Sequence, residues 1–180
     1  TVGACLSIDA DGSAEQKNTY LEKLYSGQWT GAMALTESHA GTDLGMMRTK
    51  AEPQADGSYN ITGTKIFITS GEHDMAENIV HLTLARIVDG PKGTKGISLF
   101  IVPKFVPESD GSLGPRNGWA SGPLEHKMGI NGSATPAINY DGAPGLLRGA
   151  EHPGLVGVVT MITYGRLRVG RPGFGTAACA

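Results

Sequence analysis

A mainly β region flanked by helical pieces is the fold class this sequence predicts, and three observations carry it. From Ala32 onward apolar and polar residues alternate with a period of two, the spacing of half-buried strands. The 27 Gly and 10 Pro among 180 residues supply turns for many short strands rather than for long helices. Helical spacing returns only near the two ends, over 14–26 and again after residue 145.

Taken in order, Ser13-Ala14-Glu15-Gln16 has the pattern of a capping box, with Ser13 as N-cap and Gln16 reaching back. Tyr20, Leu21, Leu24 and Tyr25 then share one helical face, and Gly27 can end the helix. No partner for that face is evident before residue 13. Candidate strands follow at 32–36, 47–54, 59–69, 79–88, 96–103, 119–125 and 135–141. Asp56-Gly57 predicts a tight hairpin between the second and third. The run 89–96 predicts another hairpin. It lacks the residue order of a phosphate loop and a helix after it. Val80, Leu82 and Leu84 face one side of their strand, and Ile97, Leu99 and Ile101 do the same on theirs. Residues 105–118 read as a long surface loop. Ala143-Pro144-Gly145 ends the strand pattern, and Leu155, Val158, Val159, Ile162 and Arg166 then fit helical spacing. The series Gly173-Phe174-Gly175-Thr176-Ala177-Ala178 imitates a dinucleotide fingerprint but follows a helix-like run, not a strand.

Composition narrows the function. A net charge of 15 − 17 = −2 gives no basic footprint for nucleic acid or an anionic membrane. Cys5 and Cys179 stand at opposite ends, which argues against a disulfide framework, and no Cys/His spacing reads as a metal site. His39, His81, His126 and His152 show no triad or metal spacing. No apolar run reaches the roughly 18 residues of a membrane span.

Two stretches carry the chemistry. Trp29–Gly45 reads WTGAMALTESHAGTDLG. Gly41 lets backbone approach a ligand closely, and Thr36 and Thr42 bring hydroxyls to either end of the loop, an arrangement suited to a polar ring edge or a pyrophosphate. The same residue types also make ordinary turns. Gly63–Gly71 alternates, and as a strand it places Lys65, Phe67 and Thr69 on one face, with Ile66 and Ile68 on the other. An aromatic ring and a hydroxyl two residues apart suit a flat heteroaromatic cofactor. Phe67 as a core residue and Thr69 as a plain β-former are the alternatives. Glu37 has the chemistry of a catalytic carboxylate, but beside a glycine turn it more readily anchors backbone N–H groups; Lys65 reads as a solvated or salt-bridged strand residue.

TE-x-x-x-G-[ST]-D followed by G-x-K-x-[WF]-IT-[NS]-G resembles the middle domain of the acyl-CoA dehydrogenases. Arg116-Asn117-Gly118 and Gly122-Pro-Leu-Glu-His-Lys-Met-Gly129 resemble the branch containing methylthiopropanoyl-CoA dehydrogenases. The resemblance covers roughly residues 15 to 171. It implies a β-barrel of two packed sheets at 32–145, the end of an N-terminal helical domain at 1–31 and the start of a C-terminal one, cut short, at 146–180. It implies FAD as cofactor, oxidation of the Cα–Cβ bond of an acyl-CoA, and an electron-transfer flavoprotein as acceptor. The whole protein is then a homodimer or homotetramer in the bacterial cytoplasm, or in the mitochondrial matrix of a eukaryote.

Residue by residue, the resemblance implies that Thr36 bonds the pyrimidine edge of the flavin, with backbone of Met33 to Leu35 and Gly41 nearby. Thr42 bonds the FAD pyrophosphate or the thioester arm, Phe67 packs on the isoalloxazine, Thr69 bonds near N5, and Arg166 helps bind CoA. Some relatives carry the base immediately before that arginine; here Gly165 stands there. No catalytic residue and no metal ligand is therefore expected in this chain, and the chain alone is expected to be inactive. An acyl-CoA oxidase using O2 and a non-catalytic β ligand-binding domain are the alternatives.

Overall fold

The computed structural model describes residues 1–152 and 154–179. Helix α1 (Val2–Asp11) and α2 (Ala14–Ser26) precede nine strands: β1 (Trp29–Ala34), β2 (Lys50–Pro53), β3 (Tyr59–Lys65), β4 (Asn78–Ile87), β5 (Ile97–Pro103), β6 (Phe105–Pro107), β7 (Leu113–Arg116), β8 (Trp119–Leu124) and β9 (Pro136–Leu147). Helix α3 (Gly154–Cys179) ends the described chain. The mainly β expectation holds.

The local rules hold at several ends. Ser13 and Gln16 form the reciprocal capping box, and Gly27 closes α2 at a φ of 82°. Gly57 takes a φ of 84° in the β2–β3 hairpin, where the Asp56 carboxylate accepts from the Ser58 amide and hydroxyl. Residues 88–96 join β4 to its antiparallel neighbour β5. The imitation fingerprint at 173–178 lies inside α3.

Pairing runs from β4 to β2, β3, β9 and β5 and back to β4, with β1 added beside β4 and β8 beside β9. Closure is thin: β2 meets β4 over two residue pairs and β5 meets β9 over two. The main sheet is thus partly closed rather than the clear barrel expected, and the second sheet is only the β6–β7 ribbon.

Two apolar clusters divide its faces. Inside the curl lie Ile61, Ile79, Phe100, Val102, Trp119, Ile138 and Tyr140. On the outer face Val80, Leu82 and Leu84 of β4 and Ile97, Leu99 and Ile101 of β5 meet α1, α2 and the start of α3. Tyr20 and Leu24 thus find their partner in this cluster, which includes Ala4, Cys5 and Ile8 of α1.

Several boundaries differ. β1 begins at Trp29 and runs parallel to β4. β3 stops at Lys65, four residues short of the predicted strand. β9 passes through Pro144 to Leu147: a bulge at Gly142 (φ 65°) absorbs the irregularity opposite Thr62, whose hydroxyl accepts from the Gly142 amide. The predicted loop 105–118 contains a two-stranded ribbon, whose Pro107 and Pro115 are tolerated because the ribbon pairs with nothing else.

Candidate functional site

The loop after β1 is built on one carboxylate. Glu37 and Ala40 exchange backbone hydrogen bonds of 3.1 and 3.0 Å around the turn Ser38-His39. The Glu37 side chain points inward, 4% exposed. One of its oxygens accepts from the Thr49 amide (2.9 Å), the Thr49 hydroxyl (2.6 Å) and the Lys65 ammonium (2.9 Å); the other accepts from the Arg48 amide (2.8 Å). Lys65 also donates to the Leu35 carbonyl at 3.0 Å. Burial alone would raise the Glu37 pKa, but the Lys65 charge, the Thr49 hydroxyl and the Arg48 amide outweigh it and hold the carboxyl down to about 2. Burial draws Lys65 down to about 8 despite Glu37. Glu37 is therefore an anchor, as its place beside a glycine turn suggests, and it is not free to take a proton.

Lys65 corrects the face assignment for residues 63–71. It lies wholly buried, on the inward side with Tyr59 and Ile61, while Phe67 is 56% exposed. Lys65 and Phe67 do not share a face. The switch occurs at Phe67, whose φ of 61° is a costly conformation for an aromatic residue. Beyond the switch a period of two persists outside any regular strand. The amides of Ile66, Ile68 and Ser70 donate to Thr36, Pro136 and Ala134 carbonyls at 2.9, 3.0 and 2.8 Å. Those of Phe67 and Thr69 have no protein partner among the described residues, and both side chains face solvent.

The bond from Ile66 to Thr36 brings the two stretches together. Thr36, Gly41 and Phe67 belong to one locality: a Cβ at Gly41 would sit 3.4 Å from the Thr36 methyl and meet nothing else within 4 Å. Thr69 follows two residues on, and Thr42 is exposed beside Gly41. The hydroxyls of Thr36, Thr42 and Thr69 have no protein partner among the described residues. A half-exposed ring, two unpaired amides, three unpaired hydroxyls and an open glycine fit a flat polar ring bearing a phosphate arm.

Other expected residues are placed differently. Met33 is exposed on β1, while the Leu35 side chain is buried in the outer core and its carbonyl is taken by Lys65. Arg166 is exposed on α3, and among the described residues it forms no hydrogen bond or ion pair with this loop. A groove of about 1270 Å3 between α2 and the β6–β7 ribbon contains none of the expected contacts. Among the described residues no group of His, Cys, Asp and Glu could hold a metal ion, and no helix is long and apolar enough to cross a membrane.

Sequence reasoning missed the Glu37–Lys65 pair and the buried His81. For Lys65 a signal existed: Tyr59, Ile61, Gly63 and Lys65 continue one inward period.

Known proteins resemble this chain in sequence and in fold. The model of the acyl-CoA dehydrogenase middle domain matches residues 32–143. The chain is 49% identical over 177 residues to 3-methylmercaptopropionyl-CoA dehydrogenase of Ruegeria pomeroyi, covering 98% of this chain and 30% of that protein. The structure of butyryl-CoA dehydrogenase from Megasphaera elsdenii superposes with a TM-score of 0.73 and 31% identity, over 89% of this chain and 39% of the other. A chain in the structure of the electron-transferring flavoprotein of Acidaminococcus fermentans gives 0.71 and 32%, over 87% and 38%. This chain thus spans about a third of the length of such relatives. With its two motif stretches hydrogen-bonded into one locality and a family match across most of its strands, the chain belongs to the acyl-CoA dehydrogenase family.

Proposed function

We propose that this chain forms one wall of the flavin site of an FAD-dependent acyl-CoA dehydrogenase, with 32–145 as its middle domain between helical segments at 1–31 and 146–180. The observation that carries the reading is the exposed Phe67 ring, held at a φ of 61° beside unpaired amides at 67 and 69 and one hydrogen bond from the Thr36 loop. A backbone held in so rare a conformation, with its ring turned outward, suits a surface built for a ligand.

When bound, FAD supplies the acceptor for hydride from the acyl Cβ. The Phe67 ring packs on the flat ring system and shields it from water. Thr36 and Thr69 donate hydrogen bonds to heteroatoms at its edges, the free amides of Phe67 and Thr69 add two donors, and Thr42 with the open backbone at Gly41 receives the phosphate arm or the thioester arm. Thioesters of short acids fit the names of the relatives, and electron transfer to a flavoprotein fits the neighbour from Acidaminococcus fermentans. Glu37 is committed to Lys65 and to backbone amides and is not free to take the α-proton.

The test is spectroscopic. The protein that carries this chain, purified with its relatives' flanking segments, is expected to show a flavin band that bleaches on adding butyryl-CoA or methylthiopropanoyl-CoA. Electrons are expected to pass to an electron-transfer flavoprotein, and rapid O2 consumption instead would assign an oxidase. A protein without a flavin band, and without bleaching after FAD is added, contradicts the reading. The 180-residue chain alone, with FAD, acyl-CoAs and an artificial acceptor, is expected to give no turnover.

A further inference from the structure

Along β4, residues Ile79, His81, Thr83, Ala85 and Ile87 alternate with the outward Val80, Leu82 and Leu84, so His81 occupies a position inside the curled sheet where the pattern calls for an apolar residue. It is wholly buried. Its ring stacks on Trp119 at 4.4 Å and meets the edge of Tyr140. An aliphatic residue could fill the same space, so the polar atoms call for a reason of their own.

Their partners fix the proton. Nε2 lies 2.8 Å from the Gly71 carbonyl, which only accepts; Nε2 therefore carries the hydrogen. Nδ1 of the neutral ring then accepts from the Tyr140 hydroxyl at 2.8 Å. The Tyr140 oxygen in turn accepts from Thr83 at 3.1 Å. One directed series runs from β4 through β9 and back to β4, and ends on the carbonyl of Gly71. That residue closes the turn bearing Phe67 and Thr69: its amide donates to Ile68 at 3.0 Å, and a Cβ there would lie 2.8 Å from the Ile68 side chain. From the far side Glu72 is held by Lys104 (2.6 Å) and Arg116 (2.9 Å).

We infer that His81 is a positioning residue for the flavin-facing turn: through Nε2 it fixes the Gly71 carbonyl, and so the placement of the Phe67 ring and the Thr69 hydroxyl. The inference rests on the flavin reading above.

Two substitutions separate the nitrogens. In His81→Gln the side-chain amide reaches the Nε2 position and can still donate to Gly71; in His81→Asn it reaches only the Nδ1 position. In the protein carrying this chain, nitrogen NMR of wild-type His81 at neutral pH is expected to show the neutral Nε2–H form. His81→Asn is expected to speed hydrogen exchange at the Ser70 and Gly71 amides and to raise the Kd for FAD about tenfold, the scale of one lost buried hydrogen bond, and His81→Gln to restore both. Equal behaviour of the two variants, or an Nδ1–H form, overturns the inference. Wild-type protein that binds no FAD overturns the flavin reading and this inference with it. Wild-type protein that binds FAD while His81→Asn binds it equally well overturns the positioning role alone. If His81→Asn does not fold, Tyr140→Phe removes the hydroxyl that holds the ring through Nδ1 and frees the imidazole to turn away from Gly71; Gly71 exchange is then expected to rise severalfold, and unchanged exchange overturns the inference.

Discussion

Glu37 and Lys65 meet at 2.9 Å with both side chains withdrawn from water, and this contact ties the loop after β1 to the end of β3. Each partner has further bonds: Lys65 reaches the Leu35 carbonyl, and Glu37 collects the Arg48 and Thr49 amides and the Thr49 hydroxyl. Desolvation makes such a pair costly to form and still more costly to break on one side. Glu37→Ala is expected to lower stability by about 3–5 kcal/mol, because it strands a buried ammonium. The double variant Glu37→Ala, Lys65→Met is expected to recover part of that loss. Urea unfolding of the four proteins in the cycle checks the coupling, and strictly additive losses would contradict it.

Acid is expected to unfold the protein through two identified groups. Burial lowers His81 to about 4 from its ordinary 6.5, so below pH 6.5 the unfolded chain takes up this proton first and stability falls until pH is about 4. Glu37, held to about 2, contributes stability that is complete above pH 4.5 and lost as pH falls towards 2. Both act in the same direction, on the order of 5 kcal/mol together between pH 6.5 and pH 2. Denaturation midpoints taken across that range check the slope. His81→Gln is expected to flatten it above pH 4, and Glu37→Gln below pH 4.5.

Phe67 sets stability against function. Its ring is more than half exposed and its φ is 61°, so Phe67→Gly relieves strain that Phe67→Ala retains. The glycine variant is expected to be more stable than the alanine variant by about 1 kcal/mol, and both to bind FAD more weakly than wild type. Thermal unfolding with a flavin titration separates the two effects. An alanine variant as stable as the glycine one would show that the backbone there is unstrained.

Much of the outer core was legible. Val80, Leu82 and Leu84 against Ile97, Leu99 and Ile101 follow from period two alone, and the capping box at Ser13 and the Asp56-Gly57 turn follow from local chemistry. The candidate site was legible in its membership but not in its construction. Alternation carried through Lys65 to Thr69 presumes an unbroken strand, and the positive φ at Phe67 breaks it; a phenylalanine gives no sign of that, where a glycine would. Nor does sequence show that His81 lies buried, since histidine is solvated by default and only the distant Tyr140 and Gly71 make its burial tolerable; for Lys65 the inward period was readable, but its partner Glu37 was not.

The unpaired hydroxyls give a prediction free of folding effects. The Thr36 and Thr69 side chains bond nothing else in the described protein, so Thr36→Ala and Thr69→Ala are expected to change stability by less than about 0.5 kcal/mol. Each is expected to weaken FAD binding by about 0.5–1.5 kcal/mol, or to slow flavin reduction. Unchanged affinity and unchanged reduction in both variants would remove them from the site.

The placement of the flavin is tested most directly by titrating this isotope-labelled chain with FAD and following its amide resonances, which register binding even when it is weak. The largest shifts are expected at Thr36, Gly41, Thr42 and Phe67 through Gly71, with little change at Lys23, Gly111 or Leu146 along the groove beside α2. Shifts confined to that groove, or none up to millimolar FAD, would contradict a flavin site built on the Thr36 loop and the Phe67 turn.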